Sequence, residues 1–366
     1  MDVAALRAEL RRFDPEVPVA AAHTPPASWY LEGDVLELER RGVFRRHWVA
    51  VARSDEIAAP GSWLAGELVE QPWILVRDEA GVLRAFHNAC RHHASRLAEG
   101  AGCGDQLRCP YHGWTYGLDG RLRSTPHMGG AEDFDRADHG LVPLAVREWC
   151  GLVLVRLGDG DTADQDADLD EVARRLDAMA HGDLRPVARQ TSVIDCNWKV
   201  FVDNYLDGGY HVREVHPELA AGLELSTYGN ELLRAGTLQS CAAKGGRLGE
   251  RALYAWLHPN LMLNRYGPVL DVNRVYPRGP HRTEVVFDFF FDASVADDED
   301  YVQRCLASSA EVQREDVWVS ENVQAGLRSP AYDRGRYAPS LEGGMHLFHR
   351  LLWDDLRVGL EAPRGS

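Results

Sequence analysis

Several features are scarce or missing in this chain of 366 residues. No stretch approaches the roughly 18 consecutive apolar residues of a membrane-spanning helix. The amphipathic start, Met1-Asp2-Val3-Ala4-Ala5-Leu6-Arg7, lacks the apolar core and small-residue cleavage site of a secretory signal. Both absences point to the cytoplasm. Positive charge is short: 40 Lys and Arg against 56 Asp and Glu give a net charge of −16. That balance argues against nucleic acid or an anionic membrane as partner. No Gly-x-Gly-x-x-Gly follows a strand-like run, so no nicotinamide or flavin fingerprint is present. Cysteines number 7, and Cys103, Cys150, Cys196, Cys241 and Cys305 stand singly, which suits reduced thiols better than a disulfide framework. Apolar content of 45% is ordinary for a globular chain, and the length predicts about two domains.

What is present begins with Cys90-Arg91-His92 and Cys109-Pro110-Tyr111-His112. Two thiolates and two imidazoles in paired short hairpins are the donor set of a 2Fe–2S cluster of mixed ligation, both cysteines on one iron and both histidines on the other. A mononuclear zinc site has the same composition, but Cys-x-His is a poor opening for a zinc finger, which starts with two spaced cysteines. Gly113 after the last ligand, with Trp114 and Tyr116 as cover, also favours iron. Strand-like runs at Trp48–Ala52, Trp73–Arg77, Val82–Phe86 and Gly151–Leu157 surround the hairpins. Residues 45–158 therefore read as a small all-β domain carrying the cluster, preceded by helices in residues 1–44 that pack on the other domain.

Gly158–Asp170, rich in Asp and Gly, reads as a solvated linker, and Asp170–His181 as a helix, so residues 159–184 connect the domains. Residues 185–366 read as an α+β domain, an antiparallel sheet flanked by helices. An extended run, Val187–Cys196, precedes strands at Leu253–Leu257, Leu261–Tyr266, Asp271–Tyr276 and Glu284–Phe291. A long helix from Asp298 to Leu327 and a last one from Leu341 to Leu356 complete the domain. Before the strands lie His211 and His216. Residues at this spacing do not share a face of a regular helix, so a metal held by both needs the helix to end or bulge between them. Pro217 and Gly208-Gly209 permit that. Two histidines and one carboxylate with open positions make the facial triad of non-haem ferrous oxygenases. The acid is expected on the long helix at Asp316, with Glu315 as the alternative and otherwise a solvated charge.

The segments Cys109–Gly117, Asp203–Val212 and Pro259–Pro268, with Glu315-Asp316-Val317, Val323–Tyr332 and Phe348-His349, resemble the catalytic α-subunits of Rieske non-haem iron oxygenases. The likeness covers essentially the whole chain and is greatest to the choline monooxygenase-like branch. It implies a Rieske cluster on Cys90, His92, Cys109 and His112, and mononuclear Fe(II) on His211, His216 and Asp316. It also implies a separate reductase and/or ferredoxin, O2 and a small-molecule substrate, and a homotrimer. In that trimer a carboxylate before the first iron histidine, here Asp207, bridges to the second cluster histidine, His112, of a neighbouring subunit. Many members place this acid one position later, where this chain has Gly208; a one-residue helix bulge would reconcile the spacings. Asn204 and Tyr210 of the same motif are expected to support the site.

The implied reaction is hydroxylation of choline to betaine aldehyde hydrate. Its trimethylammonium group is held by aromatic faces, worth about 0.5–2 kcal/mol each, often with a carboxylate nearby. Tyr205, Tyr210, Tyr254, Trp256, Tyr266, Phe289 and Trp318 are the candidates. Two alternatives stand: a Rieske oxygenase acting on glycine betaine, carnitine or an aromatic compound, since fold does not set substrate, or an electron-transfer Rieske protein without catalytic iron.

Overall fold

Residues Phe44–Gly160 form one compact unit of the computed structural model, and those up to Val43 join those from Asp161 onward in a second. The structure describes residues 2–179 and 183–362.

The first unit is almost wholly strands: β1 (Val49–Arg53), β2 (Ser62–Leu68), β3 (Gln71–Arg77), β4 (Leu83–His87), β5 (Ala101–Cys103), β6 (Gln106–Arg108), β7 (Thr115–Gly117), β8 (Leu122–Ser124), β9 (Pro143–Trp149) and β10 (Leu152–Arg156). Seven of them pair in the order β1-β10-β9-β4-β3-β2-β5, and three form a small sheet, β6-β7-β8. Continuous β-branched and aliphatic runs such as Leu152-Val153-Leu154-Val155 are buried on both faces and suit a pleated interior. Ile74, Val76, Phe86, Leu107, Trp114 and Tyr116 share one core cluster with Cys90 and Cys109, so the two cysteines are anchored in the packed part of this unit.

The second unit contains α1 (Val3–Leu10), α2 (Ser28–Leu31), α3 (Gly33–Glu39), α4 (Ala163–Ala178), β11 (Leu184–Ile194), α5 (Trp198–Tyr205), α6 (Val212–Val215), α7 (Pro217–Gly222), β12 (Leu223–Leu232), β13 (Gly236–Ala243), β14 (Arg251–Leu257), β15 (Leu261–Tyr266), β16 (Val269–Gly279), β17 (Arg282–Asp292), α8 (Glu299–Leu327) and α9 (Gly343–Glu361). Its antiparallel sheet runs β11-β17-β16-β15-β14-β13-β12. Helices α5, α8 and α9 pack on the sheet, and α1 and α3 pack on α9, so the unit is α+β. Among the described residues no helix is long and apolar enough to cross a membrane, and all the cysteines are free thiols.

Two expectations need correction. The stretch read as a solvated linker enters α4 at Ala163, and Gln165, Asp168 and Leu169 are buried. Asp168 accepts the backbone N–H groups of Ala235 (2.5 Å) and Arg234 (3.3 Å), and Gln165 Nε2 donates to His258 O (2.6 Å). Polar side chains with backbone partners tolerate burial. The helix expected over 170–181 is the second half of α4; His181 lies outside the described residues. Strands β12 and β13 were not anticipated, because β12 is an edge strand, mostly exposed, and shows no apolar alternation.

Helix α5 is fixed in the interior by charge. Lys199 Nζ donates to Glu39 Oε1 at 2.5 Å with both side chains 0% exposed, and Trp198 Nε1 donates to Glu39 Oε2 at 2.6 Å. At the other end Asp203 accepts from Tyr30 OH (2.7 Å) and His349 Nε2 (2.9 Å), and Tyr337 OH lies 2.6 Å from His349 Nδ1. Removing one partner of a buried pair strands the other charge, a loss of about 3–5 kcal/mol. Lys199→Met should lower stability in urea by that amount. Adding Glu39→Gln, which keeps an acceptor for Trp198, should recover about 2 kcal/mol or more. Equal stability of the single and double variants would count against this account.

Candidate metal centres

The two cysteine–histidine hairpins are built alike. Cys90 N–H donates to Ser95 O (2.9 Å) and Ala94 N–H returns to Cys90 O (2.8 Å); Cys109 N–H donates to Trp114 O (2.8 Å) and Gly113 N–H to Cys109 O (3.1 Å). Each loop turns at a left-handed residue, Ala94 (φ 59°) or Gly113 (φ 74°). Both cysteines are buried, whereas His92 is half-buried and His112 exposed. The two imidazole centroids lie 4.7 Å apart, and Trp114 stacks on His92 at 4.7 Å and 8°. Tyr116 OH sits 3.3 Å from Cys90 Sγ and accepts the Arg91 N–H at 3.0 Å.

A cluster fits these residues. His92 Nδ1 is buried without a hydrogen-bond partner, a costly state that a metal bond would relieve. Burial, then the neighbouring His93 and His112, hold His92 below its ordinary pKa, favouring the neutral ring that a ligand must be. His93, not singled out by motif, joins His92 and His112 in a group whose ligand atoms lie within 4.8 Å of one another.

The second centre depends on a broken helix. After α5, Gly208 (φ 72°) and Gly209 (φ 77°) are both left-handed. A Cβ on Gly208 would fall 2.3 Å from Leu341 O, and one on Gly209 2.8 Å from the Tyr228 ring, so neither position admits a side chain. The expected helix bulge is absent; this two-glycine turn takes up the extra residue before His211. His216 ends α6, and Pro217 opens α7. The break leaves the His211 and His216 rings 5.0 Å apart at 80°.

Asp316, on α8, meets both: its Oδ1 is 3.1 Å from His216 Nε2 and 3.9 Å from His211 Nε2. The opposite nitrogens are held by acids, His211 Nδ1 donating to Asp207 Oδ2 and His216 Nδ1 to Glu315 Oε2, each at 2.6 Å. Carboxylates in these places fix ring orientation behind a metal ligand, leaving each Nε2 lone pair directed toward Asp316. Asn204 Nδ2 donates to Asp316 Oδ1 at 2.7 Å. The donor set fits a mononuclear iron with two imidazoles and one carboxylate. Asp207 also accepts the backbone N–H groups of Gly209, Tyr210 and His211.

Two readings change. Glu315 is neither a ligand substitute nor a solvated charge: it is 20% exposed and orients His216. Tyr210 is 59% exposed, and its link to the site is its backbone N–H on Asp207.

A cavity of about 140 Å³ adjoins His211, His216 and Asp316. Its floor is a cross-strand row in which Gln239, Tyr254, Asn264 and Asp271 are successive register partners on β13 to β16, so their side chains share one face. Tyr205 OH lies 2.9 Å from Asn264 Oδ1, 3.1 Å from Ala255 O and 3.2 Å from Leu263 O. Of the aromatic candidates, Tyr205, Tyr254 and Tyr266 line this cavity. Trp256 does not: two residues further along β14, it packs edge-on to Phe348 at 5.4 Å. Phe289, opposite Asp271 on β17, is wholly buried, and Trp318 is 65% exposed on α8. Phe201, Tyr228, Phe287 and Asp271 line the cavity without having been anticipated. Burial pushes the Asp271 carboxyl up to about 7; Asn264 and Asn273 hydrogen-bond it and oppose the rise, and the like charge of Asp288 adds to it.

Two family models match the chain: the Rieske [2Fe-2S] domain over residues 47–135, and the ring hydroxylating alpha subunit (catalytic domain) over residues 181–242 and 245–356. The class is therefore an oxygenase that pairs a Rieske cluster with a mononuclear iron. The chloroplastic choline monooxygenase of Arabidopsis thaliana is 43% identical over 363 residues, spanning 94% of this chain and 86% of that one. The carnitine monooxygenase oxygenase subunit of Escherichia coli (strain K12) is 31% identical, over 90% of this chain and 93% of its own. The crystal structure of a quaternary ammonium Rieske monooxygenase in complex with L-carnitine matches with a TM-score of 0.79 at 28% identity, covering 93% of this chain and 97% of the other. This chain belongs to the Rieske non-haem iron oxygenase α-subunits, which sets aside the pure electron carrier.

Glu315→Ala should weaken iron retention about 10- to 100-fold in a chelator competition while the visible spectrum of the cluster is unchanged; undiminished retention would show that Glu315 does not orient His216. The folded pKa of Asp271 lies above the unfolded value of about 4. The folded state thus holds an extra proton between those values, and stability falls as pH rises from about 4 to about 7. Asp271→Asn should be more stable than the parent chain at pH 8, by up to roughly 4 kcal/mol, the difference vanishing near pH 4. A pH-independent difference in urea melts would contradict the buried acid.

Proposed function

We propose that this oxygenase hydroxylates a small quaternary ammonium compound, choline first, to betaine aldehyde hydrate, in the cytoplasm. The observation that carries the reading is the cavity beside His211, His216 and Asp316: Phe201, Tyr205, Tyr228, Tyr254, Tyr266 and Phe287 line it. A trimethylammonium group neither accepts hydrogen bonds nor binds metal, and aromatic faces are what holds it. The choline and carnitine relatives support the same substrate class. One atom of O2 enters the CH2OH carbon and the other leaves as water, with two electrons and two protons consumed. A separate reductase and/or ferredoxin supplies the electrons.

Cys90, His92, Cys109 and His112 hold the cluster in this proposal, and His211, His216 and Asp316 the iron. When bound, these groups supply single electrons and oxygen activation. The chain's own residues orient them: Asp207 and Glu315 keep the Nδ1 protons of the two imidazoles, and Asn204 holds Asp316. Asp207 also bridges to His112 of a neighbouring subunit in a homotrimer, a role supported by the exposure of His112 and by the contact of Asp207 with His211. Carnitine or glycine betaine is the second reading, favoured by the Escherichia coli relative.

With a generic reductase and NADH, choline should stimulate O2 uptake and release betaine aldehyde. Tyr228→Ala, Tyr254→Ala and Tyr266→Ala should each raise KM about 2- to 30-fold at unchanged iron content. An arene that stimulates uptake while choline, glycine betaine and carnitine all fail would sink the proposal.

A further inference from the structure

Asp271 sits in the middle of the sheet, 5% exposed, where an apolar residue would pack at no electrostatic cost. Asn273 Nδ2 donates to its Oδ1, and the Asn264 amide also bonds it. Asn264 is itself set by Tyr205 OH on its Oδ1. Among the described residues no basic side chain neutralises Asp271; the charge acting on it is the like charge of Asp288. A buried carboxylate without a cation destabilises the fold, yet two amides hold this one rigidly on the wall of the cavity that touches the iron triad. A site that keeps a carboxyl rigid and without a counter-cation, ionised above about pH 7, is complementary to a cation there.

We infer that Asp271 is the counter-ion of the substrate's ammonium group, and that it makes this site select quaternary amino alcohols over quaternary amino acids. The inference rests on the quaternary ammonium reading above and narrows it. No lysine or arginine is among the described residues lining the cavity. The carboxylate of a betaine would therefore enter a small space whose lining offers it no lysine or arginine and already holds an acid. A hydroxyl group meets neither penalty. Specificity here comes from a repulsive element as well as an attractive one. Asp271 thus determines specificity through charge.

The test is isothermal titration calorimetry on the full, iron-loaded chain without O2, comparing the parent protein with Asp271→Asn. That variant keeps the shape, and a thermal melt reports its folding. The probes are choline, its neutral isostere 3,3-dimethylbutan-1-ol, and γ-butyrobetaine. The parent should bind choline about tenfold or more tighter than either other probe. In Asp271→Asn choline should weaken about tenfold or more, the isostere should hold within about twofold, and the gap between choline and γ-butyrobetaine should close. A structural role would move all three probes together. Equal losses for choline and the isostere, unchanged choline affinity in the folded variant, or γ-butyrobetaine binding the parent as tightly as choline would each overturn the inference. If the parent turns choline over and the variant keeps its affinity, this inference alone fails. If the parent binds no quaternary ammonium probe at all, the functional proposal falls with it.

Discussion

Two imidazoles at the spacing of His211 and His216 reach one carboxylate only where the helix between α5 and α7 is broken, and the rest of the second unit is arranged to hold that break. Gly208 and Gly209 supply two left-handed residues in succession, each pressed against a neighbour that leaves no room for a Cβ. Asp207 then satisfies the freed N–H groups of Gly209, Tyr210 and His211. The turn is thereby closed by the same acid that orients the His211 ring. Pro217 ends the other side, since it has no N–H to continue α6. A local backbone irregularity is tolerated at a functional site when its surroundings determine it fully, and here a carbonyl, an aromatic ring and a carboxylate do so.

The polar groups inside the second unit fall into two kinds. Glu39 and Lys199 neutralise each other, as Arg274 and Asp288 do at 2.6 Å; these pairs locate α5 and strap β16 to β17. Asp271 is of the other kind, for it lies one strand position from compensated charge and has amides alone. Local rules of foldability are broken mainly where function demands it. The contrast between Arg274 and Asp288, paired on the other face of the sheet, and Asp271, unpaired on the cavity face, locates that demand.

How much of this was legible in the sequence follows from how local each cause is. The side chains proposed as metal ligands could be picked out because their donor chemistry and spacing lie within short segments, and Pro217 and the two glycines announced the helix break. Glu315 could not be, because helical spacing does not tell a carboxylate facing His216 from one facing water. Strand alternation correctly put Tyr254, Trp256 and Tyr266 on sheet strands, yet it cannot say which stretch of the face α9 covers. Phe348 closes over Trp256 and leaves Tyr254 open. Tyr228 escaped because β12 is an edge strand whose mostly exposed residues show no period, and Gln239 because β13, though largely buried, mixes polar and apolar residues without alternation. The burial of Asp168 depended on the backbone of residues 234 and 235, far away in sequence.

The residues proposed for chemistry and those proposed for selectivity lie on different elements of this unit. The proposed iron triad comes from the two ends of α6 and from α8, whereas Asp271 and most rings of the cavity come from β13 to β17 and Tyr205. Side chains on a strand can be exchanged in one row without shifting the helices that carry His211, His216 and Asp316, because cross-strand pairs act locally. A helix residue such as Asn204 has no such freedom, since it touches Asp316 directly. On the proposal above, recharging one strand position, that of Asp271, would change the preferred substrate charge in this chain while the helix residues around Asp316 stay in place.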